Sequence, residues 1–342
     1  MKTFVIAEAG ANHNRKYANA LQLINVAKQS GADAVKFQTY SSGTLYAKNT
    51  PDFAGYRDIN KLIKDIELPR EWQKDLKQYC DEMNIEFMST PFDEQAVQEL
   101  VDLGVKRLKI AGFESTDPRF VEMVASTGLP IIMSIGIGFE GHMYGKFLDI
   151  FEKYNNDVTF LHCNNAYPTP MEEIDLTQID NLNNFRYPIK KGLSDHTMSP
   201  LTPSLAVARG ATVIEKHFTL SRSMKGPDHP FALEPKELKL MVEYIREAEK
   251  TIIKQPNKYT NSEKSFKNAR RSVVSKIDLK PGDILTQENT TTKRPYLENS
   301  TPAFDYYDII GHCITDHIKA DTPISKLNIP SYYEPKVFIP GE

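Results

Sequence analysis

The chain has 342 residues, 40% hydrophobic and 25% charged, which suits one large globular domain followed by a small one. A formal net charge of −3 offers no basic surface for nucleic acid or for an acidic membrane. No apolar run approaches the roughly 18 residues that a spanning helix needs, and the opening MKTFVIAEAG lacks a cleavage-type signal, so a cytoplasmic protein is expected.

Eight apolar strand candidates follow one another: FVIAEAG (4–10), AVKFQTY (34–40), EFMSTPF (86–92), RLKIAGFE (107–114), PIIMSIG (130–136), VTFLHCNNAY (158–167), KKGLSDH (190–196) and VIEKHFT (213–219). Stretches with helical spacing separate them, from YANALQLINVAKQSG, closing on Gly31, to the long EPKELKLMVEYIREAEKTI. Eight such alternations over about 250 residues predict an α/β fold of the (β/α)8 TIM-barrel type. AGANHN after the first strand lacks the G-x-G-x-x-G dinucleotide fingerprint. Three cysteines, Cys80, Cys163 and Cys313, have no metal-site spacing and read as reduced, mostly packed thiols.

A barrel places its chemistry at the strand C-termini, and polar residues recur there. In strand order these are Glu8 with Asn12 and His13, Lys36 and Gln38, Ser89 and Thr90, and Lys109 and Glu114. Then come Ser134, Asn165 and Tyr167, the Ser194-Asp195-His196 run, and the Glu215-Lys216-His217 run. Lys36 and Lys109 sit inside apolar strands, where an unpaired ammonium is costly; with the neighbouring hydroxyls they predict a site for a phosphorylated or carboxylated anion. His196 and His217, with Glu8 as a further candidate, could hold a divalent metal at the same mouth. Alternatively, the two histidines are buried and neutral, hydrogen-bonded to Asp195 or Glu215. His13 is either an accessory site group or a loop-packing residue, while His142, His312 and His317 read as structural or surface.

Residues 254–270 are polar and aperiodic and read as a linker. From 271 to 334 short strand-like runs alternate with turns such as Pro281-Gly282, with one short helix expected near 305–310. This predicts a small separate β-rich module, and 335–342 is left as a tail. The catalytic barrel accordingly spans 1–253.

The runs IAEAGANHN, GADAVKFQTY, STPF, KIAGFE, LHCNNAYPTP, GLSDHT, IEKHFTL and GPDH, in this order, closely resemble the sialic acid synthase family. DLKPGDILTQENTTTKRP extends the resemblance to that family's SAF (antifreeze-like, β-clip) domain. The resemblance implies condensation of phosphoenolpyruvate with an open-chain N-acetylmannosamine-type aldehyde, with release of phosphate. It also admits a pseudaminic-type activity on a 2,4-diacetamido sugar, and the rival class is a keto-acid sugar-phosphate synthase of the octulosonate or heptulosonate type, which lacks a SAF module.

Carried onto this chain, the family pattern implies that His196 and His217 bind Mn2+ or Mg2+ and that Glu8 guides the attacking water, with Glu114 a further site acid and His217 counted among the catalytic residues. Lys36, Thr90, Lys109, Ser134, Asn165 and Ser194 match positions that hold phosphoenolpyruvate. Gln38, Tyr167 and Asp228 match sugar contacts, and Arg294 matches an arginine that serves the other subunit of a domain-swapped homodimer. The chain departs from the family where Gly112 replaces a phosphate-contacting serine, Ile135 replaces a threonine, Arg15 and Tyr296 replace glycines, and the usual leader before the first strand is missing. Phe113 resembles the pseudaminic branch and GPDH the sialic and legionaminic branches.

Overall fold

The computed structural model describes residues 2–52, 55, 57–182, 186–254 and 259–333, and the chain divides into two units, Met1–Ile253 and Lys254–Glu342. In the first unit eight parallel strands, β1 (Phe4–Glu8), β2 (Ala34–Thr39), β3 (Glu86–Pro91), β4 (Leu108–Ile110), β5 (Ile131–Ile135), β6 (Val158–Cys163), β7 (Ile189–Asp195) and β8 (Val213–His217), lie in the order β3-β2-β1-β8-β7-β6-β5-β4. β3 and β4, the ends of that order, pack side by side and close the ring.

One helix follows each strand on the outside: α1 (Tyr17–Gln29), α2 (Gln73–Glu82), α3 (Glu94–Asp102), α4 (Pro118–Ala125), α5 (Met143–Tyr154), α6 (Gln178–Asn181), α7 (Thr202–Ala208) and α8 (Pro235–Thr251). Local sequence starts several of them. Asp93 accepts from the Ala96 amide at 2.7 Å to cap α3, Asp117 and Pro118 open α4, and Glu234 and Glu237 form a reciprocal box at the start of α8. α6 is a single turn of four residues, and residues 183–185 after it lie outside the described residues. Two short helices in the β2–α2 connection, Ser42–Leu45 and Ile59–Ile66, were not anticipated; they pack Ile59 and Ile63 against Tyr40 beside the barrel mouth.

The period of two along each strand explains the interior. Ile6, Ala34, Met88, Ile132, Leu161 and Val213 form a dry layer inside the ring. Two residues further along, the same strands turn Glu8, Lys36, Thr90, Ser134, Cys163 and Glu215 inward. The strands end earlier than the apolar runs suggested; β4 stops at Ile110, and Glu114 falls on a 3-10 turn, Glu114–Thr116.

In the second unit β9 (Ser272–Ser275) and β10 (Thr290–Lys293) pair antiparallel over a core of Val273, Leu279, Leu285, Ile309, Ile314, Ile318, Ile324 and Ile329. In place of the helix expected near 305–310 there is a 3-10 turn, Ala303–Asp305. Part of the stretch read as a linker is ordered as a 3-10 segment, Lys264–Ala269, while 255–258 and the tail 335–342 lie outside the described residues.

Candidate active site

At the C-terminal ends of the strands one cavity is lined by Glu8 and by Lys36 and Gln38 of β2, Thr90, Lys109, Ser134 and Cys163, with Ser194 and His196 from the end of β7 and Glu215 and His217 of β8. Asn165 and Tyr167, from the β6–α6 loop, complete the rim. Eleven of the fourteen residues assigned a role from the sequence therefore line one space, and three, Glu114, Asp228 and Arg294, do not.

Two ammonium groups and two carboxylates form the floor. Lys36 Nζ lies 2.8 Å from Glu8 Oε2 and 3.7 Å from Glu215 Oε2, and donates to Thr90 Oγ1 at 2.7 Å. Lys109 Nζ donates to Ser134 Oγ at 2.7 Å and to the Ile110 carbonyl at 2.8 Å, and stands 3.7 Å from Glu215 Oε1. Glu215 thus bridges both cations and accepts from Ser194 Oγ at 3.1 Å. Burial disfavours every one of these charges, and the neighbours decide the outcome. For Lys36 the carboxylates of Glu215 and Glu8 outweigh desolvation and raise its pKa. Lys109 ends lower, pulled down by burial and by Lys36 against the attraction of Glu215. Glu215 is held below the usual carboxylate range because the two lysines overcome its burial. Glu8 goes the other way: burial, aided by Glu215, pushes it up to about 7 despite Lys36. Its Oε1 accepts from Gln38 Nε2 at 3.0 Å.

Above this floor the imidazoles of His196 and His217 face each other with ring centroids 5.4 Å apart. His196 Nδ1 lies 2.6 Å from the Asn164 carbonyl; a carbonyl only accepts, so Nδ1 carries the proton and Nε2 keeps its lone pair. Burial lowers the His196 pKa to about 4 and, with His196 and Lys36 nearby, lowers that of His217 well below its ordinary value. Both rings are neutral near pH 7. His217 Nδ1 is buried without a hydrogen-bond partner. The alternative pairing of these histidines with Asp195 or Glu215 is not what forms: Asp195 points away from the barrel axis to Lys216, 2.7 Å away. Tyr167 lays its ring 4.1 Å from that of His196, and Phe231 backs His217 at 5.1 Å.

Two glycines fix Asn165. A Cβ on Gly112 would come within 2.7 Å of Asn165 Nδ2, and one on Gly136 within 2.2 Å of Asn165 Oδ1 and 2.5 Å of the Cys163 carbonyl. The Ile137 amide donates to Asn165 Oδ1 at 3.0 Å, so Nδ2 is the end left to donate. The missing side chain at Gly112 is therefore the space into which the Asn165 amide fits. Gly10 is demanded twice, by φ +50° and by Asp228 Oδ2, which a Cβ there would meet at 2.4 Å.

Asp228 lies just behind the rim, its Oδ2 accepting from the Ala11 amide at 3.1 Å and 4.0 Å from His217 Nδ1. Glu114 sits outside the cavity with a buried, unpartnered Oε2, and burial raises its pKa. Arg294 is exposed in the second unit, directly after β10. Three polar residues read from the strand ends face outward. Ser89 bonds Thr39, and Asp195 and Lys216 bond each other. His13 packs between Phe37 and Trp72, with ring centroids 6.3 Å from each, and burial lowers its pKa to about 4, a loop-packing residue. Arg15 adopts φ +51°, a left-handed backbone that glycine adopts at no steric cost, and donates to the Lys64 carbonyl. Sequence reading gave no role to Cys163 or Gly136, offered Glu215 only as an alternative partner of the histidines, and noted Gly112 only for the hydroxyl it lacks. Alternation alone could have found Glu215, two residues before His217 on the same strand face. Cys163, whose thiol burial pushes up to about 12, carries no such signal.

Comparison with known proteins places this geometry. The model of the NeuB family matches residues 23–256, and that of the SAF domain matches residues 270–329. The chain is 36% identical over 338 residues to the N,N'-diacetyllegionaminic acid synthase of Legionella pneumophila, covering 95% of this chain and 94% of the relative. To a pseudaminic acid synthase of Campylobacter jejuni it is 36% identical over 320 residues, covering 91% and 92%. The crystal structure of the N-acetylneuraminic acid synthetase of Leptospira borgpetersenii, in complex with citrate, superposes with a TM-score of 0.72 at 32% identity, over 78% of this chain and 90% of that one. This chain belongs to the NeuB family, its barrel followed by a SAF domain.

Proposed function

We propose that the protein is a nonulosonic acid synthase that joins carbon 3 of phosphoenolpyruvate to the aldehyde carbon of an open-chain, N-acetylated mannosamine-type sugar, adds water at carbon 2 and releases phosphate. The observation that carries this reading is the convergence of Lys36, Lys109, Thr90, Ser134 and Ser194, with Asn165 at the rim, on the one cavity that the His196–His217 pair also lines. The lysines and hydroxyls suit the phosphate and carboxylate of the enol substrate. Glu8, with a pKa of about 7, can take a proton from the attacking water and offset positive charge developing at carbon 2. Gln38 orients Glu8, and the family resemblance supports Tyr167 and Asp228 as sugar contacts. The keto-acid sugar-phosphate alternative is disfavoured by the SAF domain.

The two imidazoles fit a divalent metal: both are neutral, His196 keeps Nε2 free, and His217 Nδ1 is buried and unpartnered. Among the described residues no group of three or more His, Cys, Asp or Glu side chains could hold an ion, so substrate or water oxygens would complete its shell. When bound, Mn2+ or Mg2+ supplies a Lewis acid that polarises the aldehyde carbonyl. Arg294 and a swapped homodimer are supported by the family resemblance, and the cytoplasm is the compartment that this enol substrate indicates. Among the described residues no helix is long and apolar enough to cross a membrane.

Phosphate release from phosphoenolpyruvate, measured with N-acetylmannosamine and with 2,4-diacetamido sugars of manno and altro configuration, tests the proposal. The expected result is release that requires one of these aldehydes and a divalent metal. Release independent of any aldehyde, or none with the whole panel, would refute it.

A further inference from the structure

Behind the two imidazoles, on the outward face of the same strands, lies an ionic group that plays no part in the cavity. Asp195 of β7 and Lys216 of β8 are register partners, and each immediately precedes one of the histidines. Both are buried, 0% and 1% exposed. Lys216 Nζ lies 2.7 Å from Asp195 Oδ2, donates to the Thr197 carbonyl and reaches Thr197 Oγ1 at 3.2 Å. Asp195 in turn accepts from the Thr197 amide at 2.9 Å and from Thr197 Oγ1 at 3.2 Å. Thr197 Oγ1 also lies 3.2 Å from Thr202 Oγ1 of α7. The residues before and after His196 are therefore both tied to one ammonium, and that ammonium belongs to the residue next to His217.

A buried ion pair is poor evidence of stabilisation, since apolar residues of similar size often serve as well. What this pair supplies is direction. It ties the turn that carries His196, where β7 ends at Asp195, to the strand that carries His217, adding to the bonds that His196 itself makes through Nδ1 to the Asn164 carbonyl and through its carbonyl to the Thr169 amide.

We infer that Asp195 and Lys216 are positioning residues that hold His196 and His217 at the spacing needed to share one divalent cation. The inference rests on the metal reading given above. Neither residue touches substrate; they act through the backbone on which the imidazoles are mounted.

The test is direct binding of Mn2+ to the full-length protein without turnover, reading the free aqueous ion by electron paramagnetic resonance. The proteins are wild type, His217→Ala, Lys216→Met and the uncharged Asp195→Asn/Lys216→Met double variant, which leaves no lone buried charge and keeps an acceptor for the Thr197 amide. Wild type should bind one Mn2+ and His217→Ala none. Both Lys216 variants should bind about 10-fold more weakly or worse, as for other groups that orient metal ligands from behind. A double variant that unfolds cooperatively and binds Mn2+ as tightly as wild type would overturn the inference while leaving the metal site standing. Wild type binding no better than His217→Ala would overturn the metal reading and the inference with it.

Discussion

Replacing Glu8 by glutamine should make the barrel more stable while removing its activity. Burial holds the Glu8 carboxyl at about 7 in the folded protein against an ordinary value of 4.5, and the ordinary value applies to the unfolded chain. Below pH 4.5 the group is protonated in both states and costs nothing. As pH rises from 4.5 to 7 the unfolded chain releases the proton first, so stability falls; above 7 the loss is constant. At about 1.4 kcal/mol per pKa unit the full loss is on the order of 3 kcal/mol. A glutamine of the same shape never ionises and escapes it, so at pH 8 Glu8→Gln should resist unfolding by up to about 3 kcal/mol more than wild type, the gap closing towards pH 4.5. The single tryptophan, Trp72, packs against Tyr17 and His13 in the barrel, so urea unfolding followed by its fluorescence reports this unit. Phosphate release should fall by two orders of magnitude or more if Glu8 guides the water, a general-base contribution of ordinary size. Equal or lower stability of Glu8→Gln at pH 8, or a gap that does not shrink as pH falls, would refute the reasoning.

Gly112→Ala should fold normally and raise KM for phosphoenolpyruvate about tenfold with a smaller effect on kcat, because only the flexible end of Asn165 has to move. Gly136→Ala collides with the Cys163 backbone as well and should lower stability by about 1–3 kcal/mol; steady-state kinetics and melting curves separate the two. Phosphoenolpyruvate binding to metal-free protein near pH 8 should be accompanied by uptake of a fraction of a proton, since an anion placed beside Glu8 raises a carboxyl already at about 7. Calorimetry in buffers of different ionisation enthalpy measures this, and proton release would contradict it. Arg294→Ala should raise KM for the sugar, and mixing it with His217→Ala chains should restore part of the activity if Arg294 serves a partner subunit; no restoration after subunit exchange would count against the swapped arrangement.

What could be read from the sequence was whatever depends on period and order. Parallel strands buried on both faces appear as apolar runs, so all eight were visible, and barrel topology then placed Glu8, Lys36, Lys109 and the two histidines at one end. Whether a strand-end residue faces the axis is also periodic, yet the runs SDH and EKH were read as three polar residues apiece without applying the alternation. The structure sends Asp195 and Lys216 outward and Ser194, His196, Glu215 and His217 inward. Glu114 was misplaced for a different reason: an apolar run does not say where pairing stops, and β4 ends four residues before it. The fit of Asn165 between Gly112 and Gly136 was beyond reach, because an absent side chain gains meaning only from what occupies its space. The charge balance of the floor was equally hidden. Two lysines in apolar strands implied an external anion, but Glu8 and Glu215 already lie beside them, so the four groups come close to cancelling before any substrate binds. An incoming phosphorylated carboxylate must therefore compete with or neutralise a carboxylate already in place. Glu8, the one acid of the pair whose pKa lies near neutrality, can give way by taking up a proton, and it must release that proton again before it can accept one from the water that completes the reaction.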